Sequence, residues 1–297
     1  MENLLVFFHI PRTGGTFFNH AIGDWLSDEH WQRHYNYTEN SSIMNLQHRD
    51  IPLLSHRTKE QNKQLKILSG HSVNCQSYKW VKTPKTPVYY SIVREPVERL
   101  LSSFNYKRQK AILWQEDIAF SHTMPQLDYH AAYEGKTHND YDTLYEYLLD
   151  STIETNLQSK WLAKSFFEWD YVTGSFVENN TYAPSSNAII TSNKTTTPDW
   201  LSDKEVLPSI DLIDLCIEKM WWISDFANIE NNTKFVCEQF DLQYNTVVNN
   251  QKNSSRKIEP KWTIEDIKNQ PDYKQLQNLL SLDYYLYEKV KLLKRPI

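Results

Sequence analysis

The chain has little cysteine and no surplus of positive charge, and each shortage excludes a class of protein. Only three of its 297 residues are cysteine and none lies in a CxxC spacing, so neither a disulfide framework nor a zinc site is expected. The net charge of −5 argues against a protein that coats nucleic acid. Any anion site must therefore be a local feature of the fold.

Long apolar runs are missing too. The chain opens MENLLVFFHI, which lacks the basic segment and the apolar stretch of a signal peptide, and no run is long enough to span a membrane. We therefore expect a cytoplasmic protein, with the soluble part of a secretory-pathway protein as the alternative. Hydrophobic residues still make up 40% of the chain, which is enough to bury a sizeable core.

Short apolar runs alternate with helical patterns, which predicts an α/β fold whose central sheet is mainly parallel and flanked by helices. The strand candidates are residues 3–9, 65–71 and 87–93, with another short strand near residue 222. Helical spacing is found from Gly15 onward, at residues 95–110, 141–150, 152–167, 210–220 and 232–240, and from about Trp262 with an interruption at Pro271.

One domain is expected to span residues 1–297. Within it, residues 105–145 and 178–208 are predicted to be irregular segments at the surface or on the acceptor side, and residues 28–62 form a polar excursion.

The first motif is HIPRTGGTFF, residues 9–18, between a predicted buried strand and the N-terminus of a helix. Unpaired N–H groups and the helix dipole make such a turn a ready anion site. The chain has only six glycines and two are adjacent here, so close approach of the backbone is expected. An ordinary strand-to-helix turn is the alternative. The candidate binding residues are Arg12, Thr13, Gly14, Gly15 and Thr16.

This motif is not a Walker A loop, because no Lys follows Gly15 and no acidic residue with a clear Mg²⁺ role ends a later strand. Kinases and NTPases must neutralise a polyphosphate and usually recruit Mg²⁺. We therefore expect a less highly charged ligand that is bound without metal. A metal-dependent phosphotransferase that uses the same loop remains an alternative, and so does a non-catalytic carbohydrate-binding protein.

The second motif is YSIVREPVERLLSSF, residues 90–104. Arg94 leaves the end of a predicted strand, and Ser102 follows about two helical turns later. A dianionic phosphate could then meet a guanidinium and a hydroxyl. The alternative is that Arg94 pairs with Glu95 or Glu98 and that Ser102 is a neutral residue of the helix.

Together, HIPRTGGT and VREPVERLLSSF resemble the two nucleotide signatures of sulfotransferases that use 3′-phosphoadenosine 5′-phosphosulfate (PAPS). The closer likeness is to the carbohydrate branch that includes the heparan sulfate 2-O-sulfotransferases. It is clear over residues 4–26 and 66–106, and weaker at TNLQSKWL and YYLYEKV. The resemblance implies a P-loop-like sheet, PAPS as the sulfuryl donor, no metal, and a carbohydrate or other hydroxyl-bearing acceptor.

The resemblance also implies roles for individual residues. Residues 12–16 would hold the 5′-phosphosulfate, and Arg94 and Ser102 would hold the 3′-phosphate. Arg12 stands where the family usually has Lys, which makes it a catalytic candidate as well as a binding residue. Arginine keeps the charge but cannot readily give up a proton, so its use as an acid toward the bridging oxygen is disfavoured.

The expected catalytic base is His71, in the segment LSGHSVN, because the resembling 2-O-sulfotransferases carry a Gly-His pair between the two signatures. The alternative is a histidine with an ordinary structural role, which is what we expect of His9. Further candidates are Arg256 and Lys257, in a late polar loop predicted to approach the 3′-phosphate or adenine, and His122, His130 and His138 on the acceptor side.

Overall fold

A computed structural model describes most of the chain. The described residues are 3–22, 43–45, 59–71, 73–79, 81, 83–116, 140–151, 153–179, 200–245 and 259–296. In this part of the chain, no helix is both long enough and apolar enough to cross a membrane.

In the described residues, seven strands form two sheets. They are β1 (Asn3–Phe8), β2 (Ile43–Asn45), β3 (Ile67–Gly70), β4 (Thr86–Val93), β5 (Phe167–Asp170), β6 (Ser175–Glu178) and β7 (Trp222–Asp225). The central sheet has the order β2-β3-β1-β4-β7, and each neighbouring pair is parallel. The predicted α/β fold with a parallel central sheet is therefore confirmed.

Ten α-helices surround the sheet. They are α1 (Gly15–Ile22), α2 (Lys59–Gln64), α3 (Pro96–Glu116), α4 (Leu144–Asp150), α5 (Leu157–Phe166), α6 (Ile210–Lys219), α7 (Ile229–Gln239), α8 (Ile264–Lys268), α9 (Tyr273–Leu279) and α10 (Ser281–Leu292), counted over the described ranges.

Alternate residues of β1 face two different layers of helices, as the two-residue period of a strand requires. Leu4 and Val6 pack toward α5, α6 and α10, whereas Leu5 and Phe7 pack toward α1 and α7. All four side chains are fully buried, and each contributes about 1.5–3 kcal/mol of transfer free energy. A third cluster joins α3 to α4, α8 and α9. The central strand is thus rigidly held, and the loop that follows it is precisely placed.

The structure differs from the sequence prediction in several elements. Helix α5 begins at Leu157 and not near residue 152, because Asn156 adopts a left-handed φ of 52° that a helix cannot continue through. Helix α3 continues to Glu116, so the segment 105–145 begins as regular helix. The antiparallel hairpin β5–β6, the short strand β2 and helix α2 were not predicted.

Candidate active site

The carboxyl ends of β1, β3, β4 and β7 lie at one edge of the sheet, where ligands bind in open α/β folds. Between β1 and α1, Arg12 has a φ of 67° and Gly14 has a φ of 101°. Left-handed residues in such turns are typical of backbone nests that bind anions. A non-glycine residue in this conformation is strained, which is most often found at functional sites. The loop therefore has the backbone expected of an anion site.

Both glycines of the loop are required by close packing. A Cβ on Gly14 would lie 2.3 Å from Cδ1 of Ile229 and 2.7 Å from Cδ2 of Phe226. A Cβ on Gly15 would lie 2.0 Å from Cδ2 and 2.2 Å from Nε2 of His9. The adjacent glycines thus let the loop rest directly on the 3₁₀ turn after β7 and on the His9 ring.

The two loop threonines have different surroundings. Thr13 is buried, and its hydroxyl donates to the carbonyl of Ile10 at 2.9 Å. This hydrogen bond therefore stabilises the conformation of the loop. Thr16 is exposed in the first turn of α1, where a helix has N–H groups without intrahelical partners. Of the two hydroxyls, Thr16 is the one placed to meet a ligand.

Arg94 is held by its backbone at the end of β4. The side chain of Gln158 accepts from the Arg94 N–H at 2.8 Å and donates to the Arg94 carbonyl at 2.9 Å. The guanidinium lies 4.5 Å from the ring centroid of Phe226, and its Nε donates to Glu98 at 3.3 Å. The pairing with Glu98 that the sequence left open is therefore present, and it uses only the Nε of Arg94.

The two motifs meet at one cavity. Arg12 donates to the hydroxyl of Ser102 from Nε at 3.3 Å and from Nη2 at 3.2 Å, and its guanidinium carbon lies 4.4 Å from the ring centroid of Tyr106. The cavity has a volume of about 500 Å³. Three arginines and one glutamate are among the residues of its wall, which favours an anionic ligand. The wall comprises Arg12, Arg94, Glu98, Leu101, Ser102, Asn105, Tyr106, Arg108, Gln109, Pro260 and Ile264.

His71 follows Gly70, whose φ of 137° turns the chain sharply at the end of β3. Its Nδ1 lies 2.9 Å from the carbonyl oxygen of His9. A carbonyl can only accept, so Nδ1 carries the proton and Nε2 keeps its lone pair. The imidazole is thus in the tautomer that can accept a proton at Nε2. His71 is not part of the cavity wall, and it is linked to the loop through His9.

The model of the sulfotransferase family matches residues 2–173, which is more than half of the chain. This chain belongs to the sulfotransferase family. No curated protein matches it. As a member of that family, it is an enzyme that transfers a sulfuryl group to a hydroxyl-bearing acceptor. The matched residues include both motifs and His71.

A buried ionic network of this sulfotransferase lies on the inner side of α3. Glu154 accepts from Arg99 at 2.8 Å, from Ser103 at 2.7 Å and from Lys107 at 2.7 Å. Burial alone would raise the pKa of Glu154, but the opposite charges of Arg99 and Lys107 outweigh it and lower the pKa from 4.5 to about 2. Lys107, which lies in the segment 105–145 predicted to be at the surface or on the acceptor side, is thus used in holding α3.

Two helices of the sulfotransferase cap each other's N-termini. The carboxylate of Asp283 in α10 accepts from the N–H groups of Gln158 and Ser159 at 3.2 and 2.8 Å. In return, the side chain of Asn156 accepts from the N–H groups of Leu282 and Asp283 at 3.0 and 3.2 Å. Each buried donor gains a partner. The segments TNLQSKWL and YYLYEKV therefore meet here and fix Gln158, which in turn fixes Arg94.

Several wall residues of the cavity were not predicted from the sequence. Glu98, Asn105 and Gln109 lie four, three and seven residues from Ser102 on α3, so the helical period counted from Ser102 would have found them, whereas Leu101 is the sequence neighbour of Ser102 and would not. Pro260 and Ile264 carry no such local signal.

Pro260 and Ile264 reach the cavity because residues next to them contact segments that are distant in sequence. The Trp262 ring stacks on Phe104 with centroids 4.7 Å apart, and Arg108 donates to the carbonyl of Glu259 at 2.6 Å. Of the other predicted site residues, Arg256, Lys257, His122, His130 and His138 lie outside the described residues.

Proposed function

We propose that this sulfotransferase takes its sulfuryl group from PAPS and transfers it to a carbohydrate hydroxyl, with His71 as the general base. The observation that supports the donor best is the meeting of the two motifs: Arg12 contacts Ser102, and Arg94 lies in the wall of the same cavity. The 3′-phosphate and the 5′-phosphosulfate are carried by one ribose, so their binding residues must be close together.

The residues of the cavity suit the two charged ends of such a donor. We assign Arg94 and Ser102 to the 3′-phosphate, and Arg12 with the loop N–H groups to the phosphosulfate. The Oδ1 atom of Asn105 is buried without a partner among the described residues. A buried acceptor without a donor is costly, so we expect an amino or hydroxyl group of the nucleoside to satisfy it.

In the proposed reaction, Nε2 of His71 takes the proton of the acceptor hydroxyl while that oxygen bonds to sulfur and the bond from sulfur to the bridging oxygen breaks. The products are a sulfate ester and 3′-phosphoadenosine 5′-phosphate (PAP). Burial lowers the pKa of Arg12, yet a guanidinium remains protonated in proteins. Arg12 therefore stabilises the charge that develops on the leaving phosphate and does not act as an acid.

The carbohydrate acceptor is supported by the Gly70–His71 pair and by the resemblance of both motifs to the carbohydrate branch. The tautomer of His71 supports its role as a base, because a neutral ring that carries its proton on Nδ1 can accept another at Nε2. The shape of the acceptor pocket is not part of this support, since residues 117–139 lie outside the described residues.

Calorimetry with PAP and with AMP tests the donor. PAP should bind more tightly by a factor of about ten or more, since a phosphate gains charge-assisted bonds from Arg94 and Ser102. Equal affinities for PAP and AMP would contradict the assignment of Arg94 and Ser102 to the 3′-phosphate.

Transfer from labelled PAPS across a panel of sugar, phenol and alcohol acceptors tests the class of acceptor. The transfer should persist in excess chelator, because the proposed reaction uses no metal. Activity that requires added Mg²⁺, with ATP as the preferred donor, would favour a phosphotransferase. Labelling of a phenol or an alcohol in preference to every sugar would overturn the carbohydrate assignment.

A further inference from the structure

We infer that His9 is a positioning residue: its ring separates the phosphosulfate loop from His71 and keeps the His71 imidazole on the carbonyl that fixes its tautomer. This inference rests on the proposed role of His71 as the base. The sequence alone predicted only a structural role for His9, within the first strand.

The loop side of the contact is tight. A Cβ on Gly15 would come within 2.0–2.6 Å of Cδ2, Nε2 and Cγ of His9. These three ring atoms would be met at similar distances, so Gly15 rests on the flat of the ring and not at its edge. Since the loop cannot move closer, the His9 ring sets the separation between the loop and whatever lies on its other face.

The same ring also contacts His71. The two imidazole rings are stacked with centroids 4.0 Å apart and an interplanar angle of 22°. The edge of Trp161 closes a second side of His71, with centroids 5.9 Å apart and an angle of 79°. Both contacts restrict rotation of the His71 side chain. They keep Nδ1 within 2.9 Å of the His9 carbonyl, and so leave Nε2 as the proton acceptor.

His9 is suited to be a spacer and unsuited to be the base itself. Its side chain is only 8% exposed, and Nε2 lies under Gly15. Burial lowers the pKa of His9 well below 6.5, and the neighbouring charges of His71 and Arg12 lower it further. The ring therefore remains neutral at neutral pH, and it adds no positive charge beside Arg12.

Two variants distinguish the effect of the flat His9 ring from the effect of its side-chain volume. His9→Met fills a similar space with a flexible side chain, whereas His9→Phe keeps a flat ring without nitrogens. The measurement is the long-range ¹H–¹⁵N spectrum of the protein labelled with ¹⁵N-histidine, in which a His71→Gln variant assigns His71. The native protein and H9F should show His71 protonated at Nδ1. H9M should show a mixture of tautomers, because the ring can leave the carbonyl.

This measurement needs no turnover, so its outcome is independent of the proposed reaction. Retention of the pure Nδ1–H form in H9M would overturn the inference. Should H9M not fold, His9→Leu is the second variant, with the same expectation.

Kinetics give the second test. H9M should lower kcat by about 10–100-fold, as a misplaced catalytic group does, while KM for PAPS and the affinity for PAP stay near the native values. H9F should retain most of the native kcat. The control is Phe8→Leu, which removes a buried ring that stacks on Tyr89 and not on His71.

F8L should lose stability but keep its kcat. If H9M and F8L lower kcat equally, His9 contributes only packing and the inference fails. If the native protein transfers no sulfuryl group from PAPS, the proposed function fails, and the spectrum still decides whether His9 holds His71.

Discussion

The guanidinium of Arg12 donates two hydrogen bonds to one acceptor, the hydroxyl oxygen of Ser102, across 90 residues of sequence. Each of these residues belongs to a different motif, so the contact joins the subsites proposed for the two ends of the nucleotide. A 3′-phosphate that bonds to Ser102 would lie within reach of Arg12 as well. Binding at one end of the donor is therefore expected to affect the residue that serves the other end.

Ser102→Ala should weaken PAP binding and leave AMP binding nearly unchanged. A hydrogen bond to a charged group is worth about 1.5–3 kcal/mol, which corresponds to roughly a 10–100-fold loss of affinity. The matched control is Ser103→Ala, because Ser103 bonds to Glu154 inside the protein. S103A should lower the free energy of unfolding and leave the ratio of PAP to AMP affinity unchanged. Calorimetry and denaturant titration measure both, and equal losses of PAP affinity in the two variants would contradict the assignment.

His71→Ala should lower turnover by about 10²–10⁴-fold, the usual contribution of a general base. PAP affinity should stay near native, which is the control for folding and donor binding. In the native enzyme, kcat should fall as the solution becomes acidic, because an imidazolium cannot accept the hydroxyl proton. The pH profile of H71A should lack this acid limb. Near-native turnover in H71A would show that the base lies elsewhere.

Gly14→Ala should be more destabilising than Gly174→Ala. Both glycines have positive φ, at 101° and 63°, and an alanine in a left-handed conformation costs about 1–2 kcal/mol. Only at Gly14 would the new Cβ also meet neighbours, since nothing lies within 4 Å of the Cβ position of Gly174. Overpacking adds about 1–3 kcal/mol. Denaturant unfolding of the two variants isolates that difference, and equal costs would mean that Ile229 and Phe226 move aside freely.

Glu154→Gln should destabilise the fold by about 3–5 kcal/mol, because it removes the carboxylate that is paired directly with the buried Arg99. The pKa of Glu154 is lowered to about 2 in the folded protein. Its contribution is therefore present above the unfolded value of 4.5 and is lost as the pH falls toward 2, since the unfolded chain binds the proton first. The free energy of unfolding measured over this window should fall more steeply for the native protein than for E154Q. Parallel curves would contradict the network.

Much of the site was predictable because its signals are local. The apolar run of β1, the glycine pair after it and the spacing from Arg94 to Ser102 each lie within a few residues of one another. Such patterns fix strand, turn and helix without knowledge of the rest of the chain. Part of the wall on α3 was also predictable, since Glu98, Asn105, Tyr106 and Gln109 lie three, four or seven positions from Ser102.

What was missed depends on contacts between distant segments. Nothing near Trp262 indicates that it stacks on Phe104 and brings Pro260 to the cavity. The pairing of Glu154 with Arg99 joins two segments that are 55 residues apart. The stacking of His9 on His71 required the parallel register of β1 and β3, which pairs Phe8 with Gly70. Periodicity does not encode such pairings.

The reciprocal caps between α5 and α10 have a consequence for the order in which the protein matures during synthesis. Gln158, which holds Arg94, has its own N–H satisfied by Asp283, 125 residues later. A ribosome adds roughly 5–20 residues per second, so about 10–35 s pass between the synthesis of the second motif and that of α10. During that interval the loop of β1 can form, but the arginine at the end of β4 lacks its support. Competence to bind the donor is thus expected late in translation, well after the residues proposed to contact it have been made.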